Sequence, residues 1–130
     1  ISESIVSCVP GFVQDAARQA LVSPLSTTKP MYEAYRRRQI ALCSEFEKVE
    51  GITCTLPQGA MYVFPSIKNI ATSSERFAYH LLDETGIATV PGVYFGIFGE
   101  SHLRFSCAGE DADIEGLSEL FKAAISNYVE

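Results

Sequence analysis

The chain has 130 residues, 47% of them hydrophobic and 20% charged, the balance of one globular domain large enough to bury a core, not of a disordered or fibrous segment. A formal net charge of −6, with Arg36-Arg37-Arg38 as the sole basic cluster, argues against a nucleic-acid partner, and no run of about 18 apolar residues is present to cross a membrane as a helix. Four cysteines, Cys8, Cys43, Cys54 and Cys107, form no CxxC pair and have no histidine at ligand spacing, which argues against zinc and favours reduced, core-filling thiols, although spacing does not exclude a bridge.

The start, Ile1-Ser2-Glu3-Ser4, has neither an initiator Met nor the charged region of a signal peptide, so the chain is expected to be a piece of a longer cytoplasmic or organellar-matrix protein. After Pro10-Gly11, residues Phe12, Val13, Ala16, Ala17, Ala20 and Leu21 recur at helical spacing and predict a helix with one buried stripe that ends by Pro24. A longer helix follows Pro30, with Met31, Ala34, Tyr35, Leu42, Phe46 and Val49 on one face and Gly51 as its stop. The arginine triplet lies within it and is read as a solvated face.

The period then changes. Ile52–Thr55 and Ala60–Phe64 are rich in β-branched and aromatic residues and flank a Leu56-Pro57-Gln58-Gly59 turn, which predicts two strands. Thr72 with Glu75 predicts a capping box for a helix carrying Phe77, Ala78, Leu81 and Leu82, and Gly86 closes it. A strand over Ile87–Val90, a loop with Gly92, Gly96 and Gly99, and an alternating strand over His102–Cys107 come next. Ile114, Leu117, Leu120, Phe121, Ala124, Ile125 and Tyr128 mark a last helix, preceded by Glu110-Asp111. The order predicts an α+β fold: a small two-layer domain with a four-strand sheet and helices on one face.

Alternation in the last strand turns Leu103, Phe105 and Cys107 toward the core and His102, Arg104 and Ser106 away from it. Arg104, behind a flexible loop and without a nearby opposite charge in sequence, has the fork geometry that grips a carboxylate. A lone strand arginine is more often an exposed charge or a structural ion pair, and on the residues alone both readings stand. Little else points to chemistry. His80 falls mid-helix as a structural residue, His102 and Ser106 lack a nucleophile elbow, and the carboxylate pairs Glu45/Glu47, Asp83/Glu84 and Glu110/Asp111 read as helix faces or caps. No phosphate-cradling G-x-x-x-x-G-K or G-x-G-x-x-G occurs.

Taken together, Gln58-Gly59-Ala60-Met61-Tyr62-Val63-Phe64-Pro65, Gly86-Ile87-Ala88-Thr89-Val90-Pro91-Gly92, Phe95-Gly96 and Leu103-Arg104-Phe105-Ser106 resemble the C-terminal small domain of fold-type I, class I/II aminotransferases that depend on pyridoxal phosphate. The likeness is nearest to the prokaryotic-type aspartate aminotransferases. Ser7 with Gln14-Asp15-Ala16-Ala17 resembles the segment leading out of the family's large domain, and Tyr35-Arg36-Arg37-Arg38 resembles its Y-x-x-R-R helix.

The resemblance implies that residues 1–25 are a remnant of the interdomain segment and 26–130 the small domain. It implies that Arg104 binds the α-carboxylate of an amino-acid or 2-keto-acid substrate. Pyridoxal phosphate is the implied electron sink, in a homodimer whose large domain holds it. Lys29, Lys48, Lys68 and Lys122 all lack the family's S-x-S-K context, so no catalytic, cofactor-binding or metal residue is assigned to this chain, and by itself it is expected to be inactive. Two alternatives remain: a lyase or synthase on the same scaffold, and a non-catalytic α+β module that binds a small carboxylate.

Overall fold

Proline and glycine set most element boundaries. The computed structural model describes residues 8–129, so Ser7 and the rest of residues 1–7 lie outside the described residues, as does Glu130. Helix α1 (Gly11–Val22) opens behind Pro10 and ends before Pro24. Helix α2 (Lys29–Glu47) takes Pro30 into its first turn, where a missing N–H costs nothing. Helix α3 (Ser74–Thr85) stops at Gly86, whose φ of 75° is the left-handed C-terminal cap. Helix α4 (Leu117–Asn127) starts behind Gly116 at φ 77°. Three short strands, β1 (Tyr62–Val63), β2 (Val90–Pro91) and β3 (Leu103–Ser106), and four short 3-10 turns complete the regular structure of the described residues.

Contacts divide the chain between Glu33 and Ala34, inside α2. In the first unit α1 has no buried residue, and Phe12, Val13 and Leu21 remain exposed. The expected buried stripe is therefore not formed, because residues 8–33 offer no second apolar layer of their own.

The second unit has a dense core. Phe46 of α2 meets Phe105 of β3 edge-on at 4.9 Å and Phe121 of α4 at 5.4 Å, while Phe77 of α3 lies 6.3 Å from Phe121. Leu42, Val63, Ile67, Leu81, Leu103 and Cys107 fill the space around these rings. Burying such side chains is worth about 1.5–3 kcal/mol each, which makes this cluster the main support of the fold.

The sheet has three strands in the order β1-β3-β2, both pairs antiparallel. A four-strand sheet is not formed. Ile52–Thr55 contributes only the bridge Thr53 to Ser66, Ala60–Phe64 shortens to Tyr62–Val63, and of Ile87–Val90 only Val90 joins a ladder. Pro57, Pro65 and Pro91 have no N–H to donate, and Ala60 sits at φ 62°, so the ladders cannot run on. The fold is α+β with a small antiparallel sheet, and the buried face of its central strand packs against helical side chains.

Local chemistry also differs from expectation in three places. The cap of α3 is Ser73, whose Oγ accepts from the Arg76 amide at 3.3 Å, and not Thr72. Glu75 turns outward to accept from the Tyr94 hydroxyl at 2.5 Å, so no capping box with Glu75 forms. Glu110 and Asp113 instead cap a short 3-10 turn, Asp111–Asp113, and α4 begins only at Leu117.

Candidate functional site

The alternation of β3 holds in three dimensions. Leu103, Phe105 and Cys107 are buried, whereas Arg104 is half-buried and Ser106 exposed on the opposite face. Register with β2 sets Arg104 opposite Val90, and register with β1 sets Tyr62 opposite Ser106. Tyr62 is thereby a diagonal neighbour of Arg104 on one face, within reach of a long side chain.

The arginine is held by rings. Its Cζ lies 4.3 Å from the Tyr62 ring centroid and 4.9 Å from that of Phe95. Phe64 packs edge-on to Phe95 at 6.1 Å and stacks on His102 at 5.0 Å with 12° between planes, which extends the aromatic surface. Arg104 has no carboxylate partner and no hydrogen bond among the described residues. Quadrupoles of the rings favour the cation without using its N–H fork, so the donors stay available to an incoming anion.

The loop that carries Phe95 is built by close backbone approach. A Cβ on Gly92 would lie 2.0 Å from the Gly99 carbonyl oxygen, and one on Gly99 would lie 2.0 Å from that of Gly92. Only glycine fits at either position. Gly92 N–H donates to the His102 carbonyl at 2.8 Å, which ties the loop to the start of β3. Glu100 then accepts from the amides of Ser74 at 2.6 Å and Ser101 at 2.9 Å. These bonds, Ser74 first, hold its carboxyl below the ordinary carboxylate range and satisfy orphan donors at the head of α3.

Other candidates resolve as structural. His80 bonds the Ala124 carbonyl through Nε2 at 2.8 Å and packs on Phe77 and Tyr128. The His102 ring bonds the Glu100 carbonyl through Nδ1, and the Ser106 hydroxyl accepts from the Ala108 amide, so the two form no nucleophile and base. The arginine triplet is a solvated face only in part, since Arg37 is exposed while Arg36 and Arg38 are half-buried and all three are bonded. Arg37 and Arg38 both donate to Asp111, at 2.9 and 2.6 Å, and Arg36 donates to the Pro57 carbonyl at 2.8 Å. Asp111 is held below its ordinary value by Arg38 first and Arg37 second.

Glu45 is likewise no free surface carboxylate. It receives Lys48 and the Ser118 amide, which draw its carboxyl down to about 2. A cleft of about 390 Å³ lined by Arg37, Arg38, Glu45 and Asp111 is thus occupied by charges that neutralise one another. Among the described residues Arg104, beside Tyr62 and Phe95, is a half-buried cation without such a partner. Tyr62 and Phe95 are candidate site residues that the sequence pattern does not single out, although the alternation Tyr62, Phe64 on one predicted strand against Arg104 on another carries the signal for Tyr62.

Residues 1–120 match the model of the family described as aminotransferase class I and II. The chain belongs to that family. Among its relatives, the Bacillus subtilis protein YugH, named as an aminotransferase, is 38% identical over 92% of the chain. An aspartate aminotransferase of Pyrococcus horikoshii is 34% identical over 92% of it. An aromatic aminotransferase of Pyrococcus horikoshii OT3 superposes on 88% of the chain with a TM-score of 0.77 and 30% identity, covering 31% of that chain. The chain spans about 30% of the length of the curated relatives it matches, 30% of YugH and 31% of the Pyrococcus protein. No helix among its described residues is long and apolar enough to cross a membrane.

The lysines of this chain do not fit the covalent anchor of a pyridoxal phosphate, the cofactor that the family implies. Lys29 pairs with Glu33 at 3.7 Å, Lys48 with Glu45, and Lys122 with Glu119 at 2.7 Å, each a carboxylate three or four residues away. Lys68 is exposed in a turn.

Proposed function

We propose that this chain is the C-terminal small domain of a pyridoxal-phosphate-dependent aminotransferase, nearest to the prokaryotic-type aspartate aminotransferases. In this reading residues 1–25 belong to the interdomain segment and 26–130 to the small domain. The large domain of the same chain, in a homodimer, holds the cofactor. The observation that carries the reading is Arg104: a half-buried guanidinium braced by two rings, with no carboxylate to neutralise it among the described residues. Family membership and relatives named for aspartate and aromatic substrates support it.

Arg104 would grip the α-carboxylate of an amino acid or 2-keto acid through two parallel N–H bonds and orient the rest of the substrate. Charge-assisted bonds of this kind are about twice as strong as neutral ones. Since the lysines present do not fit the cofactor, no chemical step is assigned to residues of this chain. Its part is to bind, orient and exclude water as the domain closes.

The test uses the full-length protein supplied with pyridoxal phosphate and assayed for amino-group transfer from an amino acid to a 2-keto acid. Transfer is expected, and Arg104→Leu is expected to lower kcat/KM about 10²–10³-fold while cofactor absorbance is unchanged. Elimination or ring-forming products in place of transfer would move the chain to a lyase or synthase. Absence of any bound cofactor in the intact protein would overturn the family chemistry altogether, and loss of cofactor in Arg104→Leu would make that residue structural.

A further inference from the structure

A second pair of side chains is placed for chemistry that the carboxylate site does not use. Cys43, in the last turns of α2, is buried, and its Sγ lies 3.2 Å from the Sγ of half-buried Cys54. Two sulfurs in a disulfide stand about 2.05 Å apart, so closure asks for the sulfurs to approach by little more than 1 Å. The two residues are eleven apart in sequence, which closes a short loop. Cys54 follows Thr53, whose amide and carbonyl both pair with Ser66, and Ser66 in turn bridges to His102 at the start of the Arg104 strand.

We propose that Cys43 and Cys54 are a reversible oxidation site that forms an intrachain disulfide with glutathione disulfide or a similar low-molecular-weight disulfide as oxidant. The step balances by exchange. The Cys54 thiol gives its proton to solvent and its sulfur attacks one sulfur of the oxidant, which expels the first glutathione as thiolate. The Cys43 thiol then loses its proton and attacks the Cys54 sulfur of the mixed disulfide, expelling the second. Two thiols lose two electrons and two protons, and one disulfide is reduced to two thiols.

Cys54 leads because it is the more accessible of the two. Burial first, and then contact with Cys43, push its thiol above the ordinary value, so exchange is slow and the pair stays reduced through brief exposure. Cys107, just past the end of β3, is 2% exposed and less accessible than Cys54, and Cys8 lies exposed in the other unit.

The test equilibrates the full-length protein in glutathione buffers of rising oxidation and maps peptides by mass without reduction. The expected product is a Cys43 peptide joined to a Cys54 peptide, lighter by two hydrogens than their sum and separated again by dithiothreitol. The oxidised protein should unfold at least about 5 °C above the reduced form, since the cross-link restricts the unfolded chain. Cys107→Ser should retain the linked peptide, and Cys54→Ser should abolish it.

A stable glutathione adduct on Cys54 without the link, a dominant link to Cys107 or Cys8, or full reduction of both cysteines while Cys8 is completely oxidised would each overturn the proposal. The mapping of the unmodified protein decides this even if a serine variant fails to fold. None of these outcomes depends on aminotransferase activity.

Discussion

Arg38 and Arg104 are both half-buried arginines of the second unit, and their surroundings could hardly differ more. Arg38 donates to Asp111 and to the Cys107 carbonyl, beside a second arginine bound to the same carboxylate. Arg104 lies between the rings of Tyr62 and Phe95 with its fork unengaged by any described residue. A charge matched by a charge is finished as structure, whereas a charge held by aromatic faces is positioned yet still needs an anion. That contrast separates the cleft of Arg37, Arg38, Glu45 and Asp111 from the face of β3 as candidates for ligand binding.

The largest effect is expected where the Arg104 side depends on backbone contact. Gly92→Ala places a methyl group 2.0 Å from the Gly99 carbonyl oxygen and should destabilise the domain by more than about 3 kcal/mol, read by chemical denaturation. A wild-type midpoint for that variant would mean that the loop holds Phe95 loosely and that the bracing of Arg104 is incidental.

On the neutralised side, Glu45→Ala removes the acceptor for the Ser118 amide at the head of α4 and should cost about 0.5–2 kcal/mol in the same measurement. The same group makes stability depend on pH. Its folded-state pKa of about 2 lies below the ordinary 4.5, so its contribution is complete above the latter and is lost as pH falls toward the former. Glu100 and Asp111, both lowered, act in the same direction. A thermal midpoint independent of pH between about 5 and 2 would contradict these bonds.

The two arginines then separate by readout. Arg38→Leu should lower the thermal midpoint and leave substrate KM unchanged, whereas Arg104→Leu should do the reverse. The smallest effects belong to the braces. Tyr62→Leu and Phe95→Leu should each raise KM three- to fivefold, about 0.5–1 kcal/mol, with Tyr62→Phe close to wild type. If Tyr62→Phe behaves like Tyr62→Leu, the hydroxyl and not the ring face matters.

Periodicity placed the helices and most of the core, but not the stripe of α1, nor Met31, Leu82 and Leu120, which stay exposed. Leu42 and Phe46 on one face of α2, Val49 in the turn just after it, and Phe77, Ala78 and Leu81 of α3, are buried as their spacing requires, and Gly86 caps where expected. Boundaries set by competing polar groups were not readable: Ser73 and Thr72 are equivalent cap residues in sequence, and the choice between them follows from how the chain enters α3. Strand length was overread, because β-branched runs state a preference for extended backbone while a ladder also needs a partner with free donors.

By itself, then, the sequence determined the four helices, the apolar faces of α2, α3 and α4 that make the core, and the alternation that turns Arg104 away from it. These rest on periods of 3.6 and 2 that each segment carries locally. Only the tertiary structure decided which charges are neutralised and which are left. Arg38 lies 73 residues from Asp111, and Cys43 meets Cys54 across the end of a helix, distances that no local pattern encodes. The availability of Arg104 is likewise a property of its neighbours in space, Tyr62 and Phe95, which the strand register and the Gly92–Gly99 contact bring to it.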